Sequence, residues 1–327
     1  MRIITVKNYK WEILAIVALA LLVLPLGNLF AGFATTINQD GTNHWKVFEA
    51  IKNGNAQFLY FGQMITGYAL VWLEKFTGID LITSLMIFSY SALVVGGITC
   101  MVLVTKVTHS RVAGILSAFV MTFGTGAVMH LFWSGTIFNV VEMIVLFPLA
   151  LLMLYNLFEE KSLFAFVMFA ISVLALVVYH PTFGVQTASS QALTTPAFQS
   201  VLGTYNQATN RELVLPFPFV ALAFVGITNI AALGISCKFL WEKKLGVNAG
   251  IIFWAMLIVA SVFGFLAFSG LTAFSSRMAM NFAIVVNLIT CLLAGLVIKN
   301  REKLSWLVIA LLIVGIIPNL VQWVERY

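Results

Sequence analysis

The sequence predicts an all-α fold, a polytopic bundle of membrane helices, and three observations carry that prediction. First, 61% of the 327 residues are hydrophobic and only 9% are charged, with a mean hydropathy of +1.02. Soluble domains are about half apolar and about a quarter charged. Second, apolar runs recur from residue 13 to the end, each near the roughly 20 residues a helix needs to cross hydrocarbon. Third, most basic residues gather in the short segments between those runs, which is where topology places them. In lipid every backbone amide needs a partner within the protein, so the runs must be helices.

Nine runs qualify as spans, at about 12–33, 81–104, 112–131, 135–157, 163–180, 216–240, 248–269, 281–298 and 304–323. The first follows Arg2, Lys7 and Lys10 and so resembles a signal sequence. Its length and the lack of a small-x-small cleavage site predict an uncleaved helix. Between the first two spans, 58–73 is apolar but short. Its 16 residues at about 1.5 Å each reach roughly 24 Å, against about 30 Å of hydrocarbon. It contains Gly62, Gln63 and Gly67 and ends on an interfacial flank, Trp72 to Lys75.

The distribution of positive charge decides how 58–73 is read. If it does not cross and the N-terminus is cytoplasmic, six of the 18 basic residues lie outside (Lys46, Lys52, Lys75, Arg211, Arg277 and Arg326) and twelve lie inside. If it crosses, every later loop inverts and only seven are inside. The first arrangement obeys the positive-inside bias. The expectation is a single membrane domain, 1–327, with the N-terminus cytoplasmic, the C-terminus extracytoplasmic and no separate soluble domain. Residues 34–80 form an outer loop with interfacial or re-entrant helices, and 181–214 form a long outer loop rich in Ser, Thr, Gln and Ala. No fixed-period repeat is visible, which argues against two duplicated transporter halves.

The net charge of +6 is explained by those loops and does not indicate nucleic acid. Cys100, Cys237 and Cys291 lie inside apolar spans without a CxxC pairing and read as buried small hydrophobes. There is no GxSxG, no phosphate-binding glycine loop and no HExxH.

The candidates for chemistry are the few polar groups at the outer side. Asp40 sits in the polar loop 38–44, where a partly desolvated carboxylate suits a general base for a hydroxyl nucleophile. It equally suits a cap for a surface helix that turns Trp45, Phe48 and Ile51 down and Lys46, Glu49 and Lys52 out. Arg277, before the eighth span, can fork two hydrogen bonds onto a phosphate; the alternative is snorkelling to headgroups. Glu142 is the deepest acid, about two turns into the fourth span, and intramembrane carboxylates usually face a cavity or a partner. His180-Pro181 ends the fifth span and places an imidazole at the mouth of the bundle. His44 in the first loop and His130 at the end of the third span join the set. A divalent cation held by Asp40 and His130 is an alternative, although the spacing matches no standard ligand pattern. Arg211 and Glu212 read as a local ion pair.

Taken together, the arrangement resembles the type C (GT-C) integral-membrane glycosyltransferases, which use polyprenyl-phosphate-linked sugars. The resemblance lies in the acid in the first outer loop, the short interfacial helix before the second true span, the outer His180-Pro181 and the arginine before a late span. The segment 124–155, with His130, Asn139 and Pro148, resembles the family's middle helices. The resemblance implies catalysis by Asp40 and donor-phosphate binding by Arg277; on that reading Glu142, His180 and His44 are expected to line the substrate pocket. It further implies a lipid-linked sugar as donor, and location in the plasma membrane of a prokaryote is expected. Many members carry two adjacent acids in the first loop, whereas here Gln39 precedes Asp40 and the next acid is Glu49. Two alternatives stand beside this reading. One is a transporter or lipid flippase coupled through Glu142, and the other is a non-catalytic subunit of a membrane complex with protein partners.

Overall fold

The computed structural model of the chain describes residues 9–23, 39–55, 61–128, 137–179, 225–242, 246–269, 275–300 and 304–325. Within its helices, the side chains of 39–43, 239–242, 268–269, 275–277 and 322–325 fall outside that description. Every long regular element among these residues is helical: α1 (Lys10–Val23), α2 (Gln39–Lys52), α3 (Phe61–Thr77), α4 (Leu81–Thr108) and α5 (Arg111–Phe123). There follow α6 (Ile137–Glu160), α7 (Leu163–Tyr179), α8 (Ile227–Glu242), α9 (Val247–Ser269), α10 (Ser275–Lys299) and α11 (Ser305–Glu325).

Four segments are long and apolar enough to cross a bilayer: Leu81–Thr108, Ile137–Glu160, Val247–Ala267 and Met278–Lys299. Arg111–Phe123, Leu163–Tyr179 and Ser305–Val321 are apolar but shorter. The first and sixth predicted spans appear as α1 and α8, while residues 24–38 and 216–224 lie outside the described residues. Large apolar side chains stand exposed on several helices, among them Leu163 and Phe164 on α7, Trp254 and Phe265 on α9, and Trp306 on α11. Exposed apolar surface on this scale, on helices of this length, suits a lipid surround. The chain is a helical, membrane-integral protein.

Local chemistry sets the turns at one end of the bundle. His109 takes a left-handed φ of 55° after α4, and Ser110 then caps α5 by accepting the Ala113 amide at 3.3 Å. The same device recurs between α6 and α7: Lys161 has φ 49°, and the Ser162 hydroxyl accepts the Ala165 amide at 3.1 Å. A left-handed residue closes one helix and a serine opens the next. Two ion pairs lie at this end, Arg111–Glu12 at 3.3 Å and Lys106–Glu159 at 3.4 Å. This is the basic end.

The core is built around α10, which packs against α4, α5, α8, α9 and α11. Small residues allow the close approach, as expected where lipid gives helices no hydrophobic reason to associate. A Cβ on Gly295 would come within 2.7 Å of Thr108 Cγ2, and one on Gly97 within 2.5 Å of Leu19 Cδ2.

Helices α2 and α3 form a side pair at the far end. They run in the same direction: His44 meets Gln63 near their starts, and Lys52 meets Glu74 at 2.9 Å toward their ends. That hydrogen bond and the charge of Glu74 raise the Lys52 pKa above its ordinary value. Phe48 and Ile51 are buried and Trp45 is half-buried, while Lys46 and Lys52 are exposed, matching the amphipathic pattern expected of this segment. One expectation is corrected. Asp40 does not precede the helix in a loop, because α2 already begins at Gln39 and so includes Asp40 in its first turn.

The predicted short piece is α3, 17 residues long. Its start meets Tyr179 at the end of α7, and its end leads through residues 78–80 into the start of α4. Phe88, near that start, reaches Phe138, which in turn packs on Tyr179. Both ends of α3 therefore belong to the far end of the bundle.

Among the cysteines, Cys100 and Cys291 are buried as expected, but Cys237 is exposed on the apolar surface of α8. A small apolar thiol meets no penalty there, since lipid is its solvent.

Candidate functional site

The far end gathers polar side chains that an apolar bundle would otherwise exclude. His44 is buried on α2, and its Nδ1 lies 3.0 Å from Gln63 Nε2 on α3. An amide nitrogen only donates, so Nδ1 accepts and the ring proton resides on Nε2. The His44 ring packs edge-on against Phe138 at 4.6 Å. Phe138 packs on Tyr179 with centroids 5.9 Å apart, and the Tyr179 hydroxyl shares a hydrogen bond with Thr66 at 3.2 Å.

Glycine makes this convergence possible. A Cβ on Gly62 would collide with the backbone carbonyl of Tyr179, so only glycine lets α3 approach the end of α7 this closely. Gly67 does the same against Phe48 and Ile51 of α2.

Glu142 lies one turn after Phe138 and is fully buried. It falls in a π-turn, Val141–Leu146, where the Phe147 amide donates to the Glu142 carbonyl five residues back. Pro148 supplies the cause. It has no N–H for the Ile144 carbonyl and its ring crowds that turn, so the helix widens by one residue just before it. The Cys100 thiol reaches the Ile144 carbonyl at 3.8 Å, which partly replaces the missing donor. The widened turn resets the face on which Glu142 stands relative to the rest of α6. Glu142 is close enough to Tyr179 for the two groups to interact electrostatically.

The structure thus brings His44 and Glu142 to one aromatic cluster and adds Gln63, Thr66 and Tyr179. Asp40 occupies α2 one turn before His44, a spacing that puts the two positions on one helix face. The Asp40 side chain lies outside the described residues. Arg277 is in the first turn of α10, just ahead of the apolar stretch Met278–Lys299, and its side chain is likewise outside the description. His130, His180 and the pair Arg211 and Glu212 fall outside the described residues altogether. Among the described residues, no group of three His, Cys, Asp or Glu side chains is placed to hold a metal ion.

The sequence carried a signal for one further feature of this end and none for another. The polar face of α3 was legible: Gly62, Gln63, Thr66 and Gly67 recur at helical spacing inside an apolar segment. The Trp45 indole was not. Its Nε1 is buried with no hydrogen-bond partner among the described residues, and such an unpaired donor costs about 1–3 kcal/mol unless a ligand or water meets it.

No family model matches this sequence, and no curated protein or solved structure does either.

Proposed function

We propose that the chain is a membrane glycosyltransferase of the GT-C kind, moving a sugar from a polyprenyl-phosphate donor to an acceptor hydroxyl on the extracytoplasmic side. The observation that carries this reading is the polar cluster at one end of an apolar bundle, with His44, Gln63, Thr66 and Glu142 buried and Tyr179 half-buried beside them. Polar groups kept in such surroundings mark a substrate site. Lipid-exposed helix faces beside it suit a donor whose tail stays in the membrane while its head reaches the cluster.

In this scheme the bundle crosses nine times, with the N-terminus cytoplasmic and the C-terminus outside. Support comes from the basic end, where Lys106, Arg111 and Lys161 sit at the turns, as the positive-inside bias asks of a cytoplasmic face. The placement of both ends of α3 at the far end supports its role as a non-crossing helix.

The chemistry is a displacement at the anomeric carbon. Asp40 takes the proton of the acceptor hydroxyl as its oxygen bonds to that carbon. The bond from the carbon to the phosphate oxygen breaks, and its electron pair leaves with the polyprenyl phosphate. Arg277 stabilises the charge that grows on that phosphate. Glu142 and His44, with His180, hold the sugar or acceptor hydroxyls.

The test is Asp40→Asn in purified, lipid-reconstituted protein given a polyprenyl-phosphate hexose and a hydroxylated acceptor. Transfer is expected to fall at least about 100-fold, in line with loss of a general base, while donor binding stays within twofold. Undiminished transfer would remove Asp40 from the mechanism.

A second reading is favoured by one observation, the fully buried Glu142 in a π-turn. A carrier or flippase could use it as the coupling group. Glu142-dependent flux across proteoliposomes with no glycosylated product would favour that reading over transfer.

A further inference from the structure

Asn281 presents a different kind of evidence. It is fully buried on α10, yet neither its Nδ2 nor its Oδ1 has a hydrogen-bond partner among the described residues. Buried amides are nearly always paired, because an unmet donor or acceptor loses its water without compensation. Its neighbours are met in part, with Asn229 Oδ1 and Asn287 Nδ2 left without partners among the described residues but each side chain held by its other atom. Asn229 Nδ2 donates to the Gly124 carbonyl and to Asn287 Oδ1, both at 2.9 Å, tying α8, α10 and the end of α5 together. Asn281 ties nothing.

Its depth places it at the substrate end. Asn287 lies level with Gly124 at the far end of α5, and Gly295 lies level with Thr108 and Ala113 at the basic end. Asn281 is six residues beyond Asn287 in the far direction, about 9 Å along the helix. It stands one turn from Arg277, so the two positions share a face of α10. Helix α10 also packs against the π-turn that carries Glu142.

We propose that Asn281 is a substrate-binding residue that recognises hydroxyl groups of the donor's sugar head. A side-chain amide offers one acceptor and two donor hydrogens, the complement of a hydroxyl, which both gives and accepts. Carboxylates and phosphates, which only accept, would leave the amide oxygen unmet. The phosphate falls instead to Arg277 one turn earlier. This inference rests on the glycosyltransferase reading and adds to it a residue that reads the sugar rather than the phosphate.

The experiment compares wild type, Asn281→Leu and Asn281→Ala in detergent or nanodiscs. It measures the thermal midpoint without ligand and the affinity for a polyprenyl-phosphate hexose and for the bare polyprenyl phosphate. Without ligand, Asn281→Leu is expected to match or exceed the wild-type midpoint, because it removes an unmet amide at similar volume. Affinity for the glycosylated lipid is expected to fall roughly tenfold or more, with the bare lipid bound within twofold of wild type. A midpoint lowered by several degrees in both variants would make Asn281 structural and overturn the proposal. Unchanged affinity for the glycosylated lipid would overturn it as well. If wild type binds neither lipid, the glycosyltransferase reading itself fails and the inference falls with it.

Discussion

Glu142 and Pro148 show how one backbone defect places one functional group. Proline breaks the regular ladder, the turn before it widens, and a carboxyl is set in the interior. The sequence marked Glu142 as a deep acid but could not show the π-turn, since proline inside a helix can also kink it or end it. At the mouth of α4, Asp80 plays a simpler part. Its carboxylate accepts the Thr83 amide at 2.9 Å and the Thr83 hydroxyl at 2.6 Å. These bonds hold its pKa below the ordinary 3.8. A lowered folded pKa means the stabilisation is fully present above pH 3.8 and is lost as pH falls through the folded value. Asp80→Ala should therefore lower stability by about 1 kcal/mol at neutral pH. The gap from wild type should close in acid, as thermal unfolding at several pH values would show.

At the scale of elements, the pairing of α2 with α3 and their docking on α7 decide whether the site exists. Gly62 is the contact that allows it. Gly62→Ala should push α3 off the end of α7, with an overpacking penalty of about 1–3 kcal/mol. It should weaken donor binding while leaving the basic end intact, which binding assays and thermal unfolding of the same preparation would separate. A variant that binds donor as wild type does would show that this approach does not shape the site. The short, glycine-bearing character of 58–73 was legible, and so was the amphipathic face of the helix after Asp40. Their parallel alignment was not, because it depends on two long-range pairs, His44 with Gln63 and Lys52 with Glu74. The start of α2 was also misread: Asp40, Gly41 and Thr42 look like loop residues, yet the helix takes them in.

For the whole molecule, composition and unbroken apolar runs made the helical membrane class plain, because runs of about 20 apolar residues satisfy their backbone in lipid as helices. Charge placement pointed to one face, and the ion pairs Arg111–Glu12 and Lys106–Glu159 now mark that face as the basic end of the bundle. What the sequence could not give was the interior of the opposite end. The orphaned amide of Asn281 and the buried Nε1 of Trp45 depend on which helices surround them, and apolar periodicity says nothing of that. The central claim is that the far end receives the polar head of a lipid-linked sugar. Its most direct test is a cryo-EM map of the protein in nanodiscs with a polyprenyl-phosphate hexose. The expected map shows the head at the His44, Glu142 and Asn281 end with the tail running along an exposed helix face. A head bound beside Lys106 and Glu159 at the basic end, or no bound lipid at saturating donor, would contradict the account.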